Sequence, residues 1–171
     1  MSDSLPTYSS REVAVAWGLV NMEGFSDDNI VTMAYNTDLT TEKIGADGKL
    51  ATSVTPDRSG TVKVQFMQTS KSTRQLSAIL ATQNNSEDTS ILIRSDFVVS
   101  DPSGSQLAIA RNAYIKTAPE LVLGVEQNMH EWTFYTEKLD WLPVPKGVED
   151  VAEAAETAAV VAGMLAVQSR D

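Results

Sequence analysis

Catalytic chemistry in this chain would have to pass through a single histidine, His130. A Ser-His-Asp relay needs an imidazole between nucleophile and acid. His130 lies between Met129 and Glu131 with no such motif around it, and it reads as a structural or exposed side chain. The chain has no cysteine, so thiolate nucleophiles, thiolate metal sites and disulfides are excluded, and a site built on several imidazoles is excluded too. Gly45-Ala46-Asp47-Gly48-Lys49-Leu50 has the glycines and lysine of a phosphate loop. It lacks the Gly-x-x-x-x-Gly-Lys-Ser/Thr spacing and the hydroxyl after the lysine, and a hairpin turn accounts for it. Asp27-Asp28, after Gly24-Phe25-Ser26, is an adjacent acidic pair in a turn, solvated rather than aimed at one atom. Asn84-Asn85-Ser86 fits a glycosylation sequon, but the polar start from Met1 to Tyr8 lacks the apolar region of a secretory signal. The residues therefore predict no catalytic, cofactor-binding or metal-binding site, and no enzyme.

Charge narrows the partners. The formal net charge is −10, and a sequence-independent DNA binder needs the opposite sign to neutralise phosphates. Lys43, Lys49, Arg58, Lys63, Lys71 and Arg74 are scattered among acids and form no aromatic-interleaved platform for single strands. Such a surface could let DNA slide past without holding it, and the acid excess also keeps a protein soluble. The absence of cysteine suits a reducing cytosol. No stretch reaches the ~18 apolar residues of a spanning helix; the longest candidate is Ala158 to Val167. No membrane anchoring is expected.

The 171 residues, 42% of them hydrophobic, suffice for one domain with a real core. Most of the chain alternates with period two, the pattern of half-buried strands. Strands are predicted over Arg11 to Trp17, Asn29 to Tyr35, Thr61 to Met67, Ile91 to Val99, Gln106 to Ile115 and Glu131 to Thr136. The inward sets are Val13, Val15 and Trp17; Val62, Val64 and Phe66; Ile91, Ile93, Phe97 and Val99; Leu107, Ile109, Ala113 and Ile115; and Trp132 with Phe134. Trp17, Trp132 and Trp141 read as core residues rather than a ligand cage. Turns fall between the runs: Asp47-Gly48 as a type I′ hairpin, Pro56 to Gly60, and Asp101-Pro102-Ser103-Gly104. This is the pattern of a β-sandwich or barrel. One helix interrupts it, with Ser72 and Gln75 as a capping box and Leu76, Ile79 and Leu80 on one face. A polar loop, Gln83 to Asp88, is expected to follow.

Composition changes after Pro143-Val144-Pro145. Val148 to Val167 is Ala-rich with acids in its first turns, which suits a terminal helix of about five turns. The boundaries that follow are a β domain over 1–145 and an Ala-rich helical extension over 146–171. The second half of the extension offers almost no polar face, so Val160, Val161, Met164 and Leu165 are expected to dock on another surface.

Several segments together resemble the tail tube proteins of contractile-tailed bacteriophages. They are Tyr8 to Val15, the Gly24-Phe25-Ser26-Asp27 turn, Glu42 to Gly48, Asp57 to Val62, Gln68-Thr69-Ser70 with the short helix, and Glu131 to Phe134. The likeness spans roughly residues 8 to 142 and leaves out the tail from Lys146. The resemblance implies a β-barrel or sandwich subunit with one flanking helix and no cofactor. It implies hexameric rings stacked into a tube inside a sheath, with the tape measure protein and baseplate or terminator proteins as further partners. It implies a virion protein assembled in the host bacterial cytoplasm, with the genome passing through the lumen without specific binding. Given the net charge of −10, a net negative lumen is expected.

Tyr35 to Gly60 is long for a connection. Thr40 to Ile44 and Lys49 to Val54 flank Asp47-Gly48, which predicts an extended hairpin arm. Asp38, Glu42, Lys43, Asp47, Gly48, Lys49, Asp57 and Arg58 carry both signs of charge and are the candidate residues for setting register between stacked rings. Two other classes fit the strand pattern: a tube subunit of a type VI-like or tailocin machine, and an immunoglobulin-like binding or decoration module. The latter would not form tubes.

Overall fold

The computed structural model describes residues 9–27, 29–87, 91–101, 106–124 and 126–143, with Ala159, Val160, Ala162 and Met164. Among the described residues up to Pro143, ten strands and one helix follow a short 3-10 turn at Ser10–Glu12. The strands are β1 (Ala14–Trp17), β2 (Val20–Asn21), β3 (Val31–Tyr35), β4 (Thr40–Ile44), β5 (Leu50–Val54) and β6 (Gly60–Met67). Helix α1 (Lys71–Asn84) precedes β7 (Ser95–Asp101), β8 (Gln106–Thr117), β9 (Met129–Thr136) and β10 (Lys138–Pro143).

All pairing is antiparallel. Hydrogen-bonded neighbours run β2-β1-β7-β8-β9-β6-β3, with β10 also on β8 and with β4-β5 apart. β8 belongs to both layers. Its first half lies between β7 and β10, and its second half pairs with β9. The core fills the space between the layers. Val62, Val64 and Phe66 of β6 are fully buried, as are Phe97 and Phe134, with Trp17, Trp132 and Leu139 nearly so. Trp17 and Phe97 each lie against the Phe134 ring, at 5.2 and 5.1 Å between centroids.

β1 is shorter than the expected Arg11 to Trp17, since Arg11 and Glu12 lie in the 3-10 turn. Period-two reading places β3, β6 and β9 well, because each keeps one face inward along its length. β8 does not. Its buried residues are Ala108, Ala110 and Ala113, so the inward parity changes between Ala110 and Ala113. The expected inward set held for Ala113 but not for Leu107 or Ile109, which are only partly buried. The cause is a bulge: Phe97 pairs with Ala110, but Ser95 pairs with Ala113. Asn112 takes a positive φ of 58° there, a conformation that asparagine tolerates better than most residues. The Asn112 N–H donates to Asp96 Oδ1 at 3.0 Å, and its side-chain amide donates to Glu137 Oε2 at 2.8 Å. The Trp17 indole donates to the carbonyls of Ala113 and Ser95, at 3.0 and 3.2 Å. It thereby serves carbonyls beside the break in the ladder.

Other boundaries move for local reasons. β7 begins at Ser95, and Ile91 is exposed. β10 was not evident in the sequence, since only Leu139 is buried in it and Pro143 looks like a breaker. Trp141, expected in the core, is 48% exposed on this strand. Helix α1 starts two residues before the expected capping box. Ser70 is the N-cap, its hydroxyl accepting from the Ser72 N–H. Ser72 is instead buried, accepting from the Glu23 N–H at 2.7 Å, and both serine hydroxyls donate to the Glu23 carbonyl. These bonds pin α1 to the segment after β2. Leu76 is fully buried, with Ile79 and Leu80 packed beside it. The helix also takes up Gln83 and Asn84, which were expected in a loop.

Asp101 and Gln106 are paired, so β7 and β8 form a hairpin. The expected turn residues Pro102, Ser103 and Gly104 lie outside the described residues.

Candidate assembly surface

The hairpin arm is present. β4 and β5 pair from Thr40↔Val54 to Ile44↔Leu50, and no other strand joins them. Every residue of both strands is exposed. The turn is not the expected type I′. The Gly48 N–H donates to the Gly45 carbonyl, and the Gly45 N–H to the Lys49 carbonyl, both at 2.9 Å. The turn is therefore centred on Ala46 and Asp47. Neither has positive φ, while Gly48 has φ +76°. This is the bulged three-residue hairpin, in which glycine takes the left-handed position.

The two faces of the arm differ. Thr40, Glu42, Ile44, Leu50, Thr52 and Val54 share one face, and Thr41, Lys43, Ala51 and Ser53 the other. Ile44, Leu50 and Val54 are 71%, 63% and 69% exposed, so one face carries an uncovered apolar stripe. Two paired strands are barely stable alone in water, and this stripe is what a partner surface would cover.

The candidate charges divide into two groups. Asp47, Gly48 and Lys49 form the tip, where Asp47 Oδ1 accepts from the Lys49 N–H at 3.3 Å and the Lys49 ammonium lies 3.8 Å from the carboxylate. Glu42 accepts from the Thr40 hydroxyl at 2.9 Å, and Lys43 lies on the opposite face. Asp38 is exposed just before β4. Asp57 and Arg58 sit at the base and are engaged within the chain. Asp57 accepts from the Ser59 N–H at 2.8 Å and from the Thr37 hydroxyl at 3.1 Å. The Ser59 hydrogen bonds, chiefly that of its backbone N–H, hold the Asp57 carboxyl below the ordinary aspartate range. Arg58 donates to the carbonyls of Thr55 and Asp57, while its own carbonyl accepts from the Leu139 N–H. The Thr61 hydroxyl and the Asn36 amide complete the clamp through Asn36 Oδ1 and Ser59 Oγ. The base is fixed, and the tip is free to meet a partner.

Sequence reasoning missed a second kind of assembly surface. β2, β3 and β10 each end a run of pairing, so each offers an edge among the described residues. Between β3 and the β7-β8-β10 layer lies an open groove of about 540 Å³, lined by Met33, Val99 and Trp141 among others. Among the described residues the layers do not close on that side. On β10, Asp140 is flanked by Arg111 of β8 and by Lys138 of its own strand, at 2.8 and 3.1 Å. The Arg111 hydrogen bond is the main cause of lowering the Asp140 carboxyl, and the pairing raises Arg111 in return. Of the candidate docking residues in the tail, Val160 and Met164 have helical backbone and are exposed. Val161 and Leu165 lie outside the described residues.

His130 is buried on the inward face of β9, with Trp132 and Phe134. No group of His, Asp or Glu among the described residues could hold a metal ion. No helix among them is long and apolar enough to cross a membrane.

A two-layered antiparallel body with open strand edges, a clamped base and an uncovered arm is the building block of an assembly. Residues 7–142 match the family described as Bacteriophage PhiTE tail tube protein, and the chain belongs to that family. It is thus a structural tail tube protein of the virion, and not an enzyme. No curated protein matches the chain in sequence.

Solved structures carry the same fold at low identity. A chain of the sheath–tube complex of the extracellular contractile injection system PVC, in its extended state, is 15% identical with TM-score 0.53, covering 84% of this chain and 94% of that one. The PVC sheath/tube terminator in the extended state is 12% identical with TM-score 0.55, covering 82% and 99%. The tube-terminating cap of the anti-feeding prophage is 9% identical with TM-score 0.53, covering 81% and 92%.

Proposed function

We propose that six copies of this chain close into a ring, that the rings stack into the inner tube of a contractile tail, and that the tube conducts the genome during ejection. The observation that carries the stacking is the arm, a two-stranded sheet with every residue exposed and an apolar stripe on one face. Open edges at β2, β3 and β10 support ring closure, since edge pairing between copies removes an aggregation hazard and builds the assembly at once. The net charge of −10 supports a negative lumen that repels phosphates and lets DNA pass. On this reading the tube contacts the sheath outside, the tape measure protein inside, and baseplate and terminator proteins at its ends, and it assembles in the host bacterial cytoplasm. The β body over 1–145 forms the tube wall, and the extension over 146–171 docks on a neighbouring surface.

Replacing Thr40 to Thr55 by a short Gly-Ser linker tests the reading. The variant should keep the circular dichroism of the parent and lose tubes under the electron microscope. Tubes of normal length from the variant would refute the arm as the stacking element.

A further inference from the structure

All the buried side-chain polar atoms that lack a hydrogen-bond partner among the described residues belong to three residues: Thr73, His130 and Trp132. Each residue is more than nine-tenths buried. All three line one cleft of about 310 Å³ between α1, β9 and the segment after β8. Buried polar groups are nearly always bonded, so a cluster of exceptions around one opening calls for an occupant. The Trp132 indole can only donate, the Thr73 hydroxyl can donate, and one nitrogen of a neutral imidazole donates. These atoms lie beneath the surface of the cleft, each with less than 1 Å² accessible. Its walls include Leu80 and Leu121, and its rim carries Glu120. Leu121, Val122 and Leu123 stand exposed beside it.

We infer that this cleft receives the arm tip of a second copy of the chain, with Lys49 against Glu120 and the apolar side chains of the arm against Leu80 and Leu121. The inference rests on the stacking reading above and supplies the surface that reading lacks. The tip matches the cleft in kind. It carries an ammonium on Lys49 for Glu120, and Ile44 and Leu50 for the leucines. The two surfaces also lie at opposite ends of the body. The arm joins β6 at Gly60, which pairs with Thr136, whereas His130 pairs with Phe66. Six residues of strand separate these points, about 20 Å. The root of the arm therefore lies at the other end of β6 from the cleft. A contact from one end of a subunit to the other end of the next is heterologous, and it propagates without closing on a pair.

A chain without cysteine makes the test direct. Ala46→Cys at the tip and Leu121→Cys at the cleft, both at exposed positions, should crosslink between copies when assembled protein is oxidised. The expected result is a ladder of covalent species extending past six chains, absent when either cysteine is present alone. Tubes that form normally but give no ladder would overturn the cleft as receptor while leaving the arm's stacking role standing. A ladder that stops at six would overturn the end-to-end direction of the contact. Loss of the arm without loss of tubes would overturn both readings. Charge exchange gives a second readout. Lys49→Glu and Glu120→Lys should each raise the concentration needed for tubes about tenfold, the scale of a 1.4 kcal/mol contact. The double variant should restore it; failure to restore would count against the pairing.

Discussion

At Asn112 the backbone takes a left-handed conformation that costs most L-residues roughly 1–2 kcal/mol, and the corner of β8 depends on it. Asn112→Ala should lower stability to denaturant by about 1–2 kcal/mol, through strain and the lost amide bond to Glu137. Asn112→Gly should cost less than half of that, because glycine accepts the conformation freely. Two tryptophans give a sharper contrast. Trp17→Phe leaves the Ala113 and Ser95 carbonyls without their donor and should cost about 1–3 kcal/mol. Trp141→Phe, on a half-exposed ring, should stay within about 0.5 kcal/mol of the parent. Asp57 and Asp140 set the acid limb. Both are held below the ordinary aspartate range, the first mainly by the Ser59 N–H and the second mainly by Arg111. A carboxyl lowered in the folded state contributes stability above its unfolded pKa and loses it as pH falls through the folded value. Thermal melts should therefore drop below the ordinary aspartate range, and Asp57→Asn with Asp140→Asn should flatten that drop.

Among the elements, the arm separates folding from assembly. It shares no ladder with the body, so the linker replacement should shift the midpoint of urea unfolding of the unassembled chain by no more than about 0.5 kcal/mol in stability while removing tubes. The arm was legible in the sequence because Asp47-Gly48 is a strong turn signal and the flanking runs are too polar for a core. Its turn class was not, since Asp-Gly serves both the mirror-image turn and the bulged one, and the hydrogen bonds of Gly45 decide between them. β6 and β9 were legible because Val62, Val64, Phe66, Trp132 and Phe134 keep one parity throughout. β8 was half legible: alternation carries no mark of a bulge, and Leu107 and Ile109 outweigh alanines on any hydropathy reading. β10 was hidden because it buries only Leu139 and ends in proline. The cleft was invisible for a different reason. Thr73 is far in sequence from His130 and Trp132, and only the packing of α1 over β9 brings it to them.

For the whole molecule, the fold explains why a chain with one histidine and no cysteine has a function at all. On the proposed reading its work lies in surfaces: strand edges for ring closure, an arm for stacking, and a cleft to receive it. Like charges crowd when chains carrying −10 each come together, so assembly should be helped by salt. Raising ionic strength from about 10 mM to 150 mM, which shortens the screening length from roughly 30 to 8 Å, should increase the sedimentable fraction at fixed protein concentration. A fall over the same range would show that attraction between opposite charges, rather than apolar and edge contacts, dominates the assembly. The most direct measurement is electron cryomicroscopy of tubes grown from the purified chain. The account predicts rings with six-fold symmetry, density continuous from β4-β5 of one ring into the next, and an acid-lined lumen. Particles that stay monomeric at high concentration, or rings of another order joined without the arm, would contradict it.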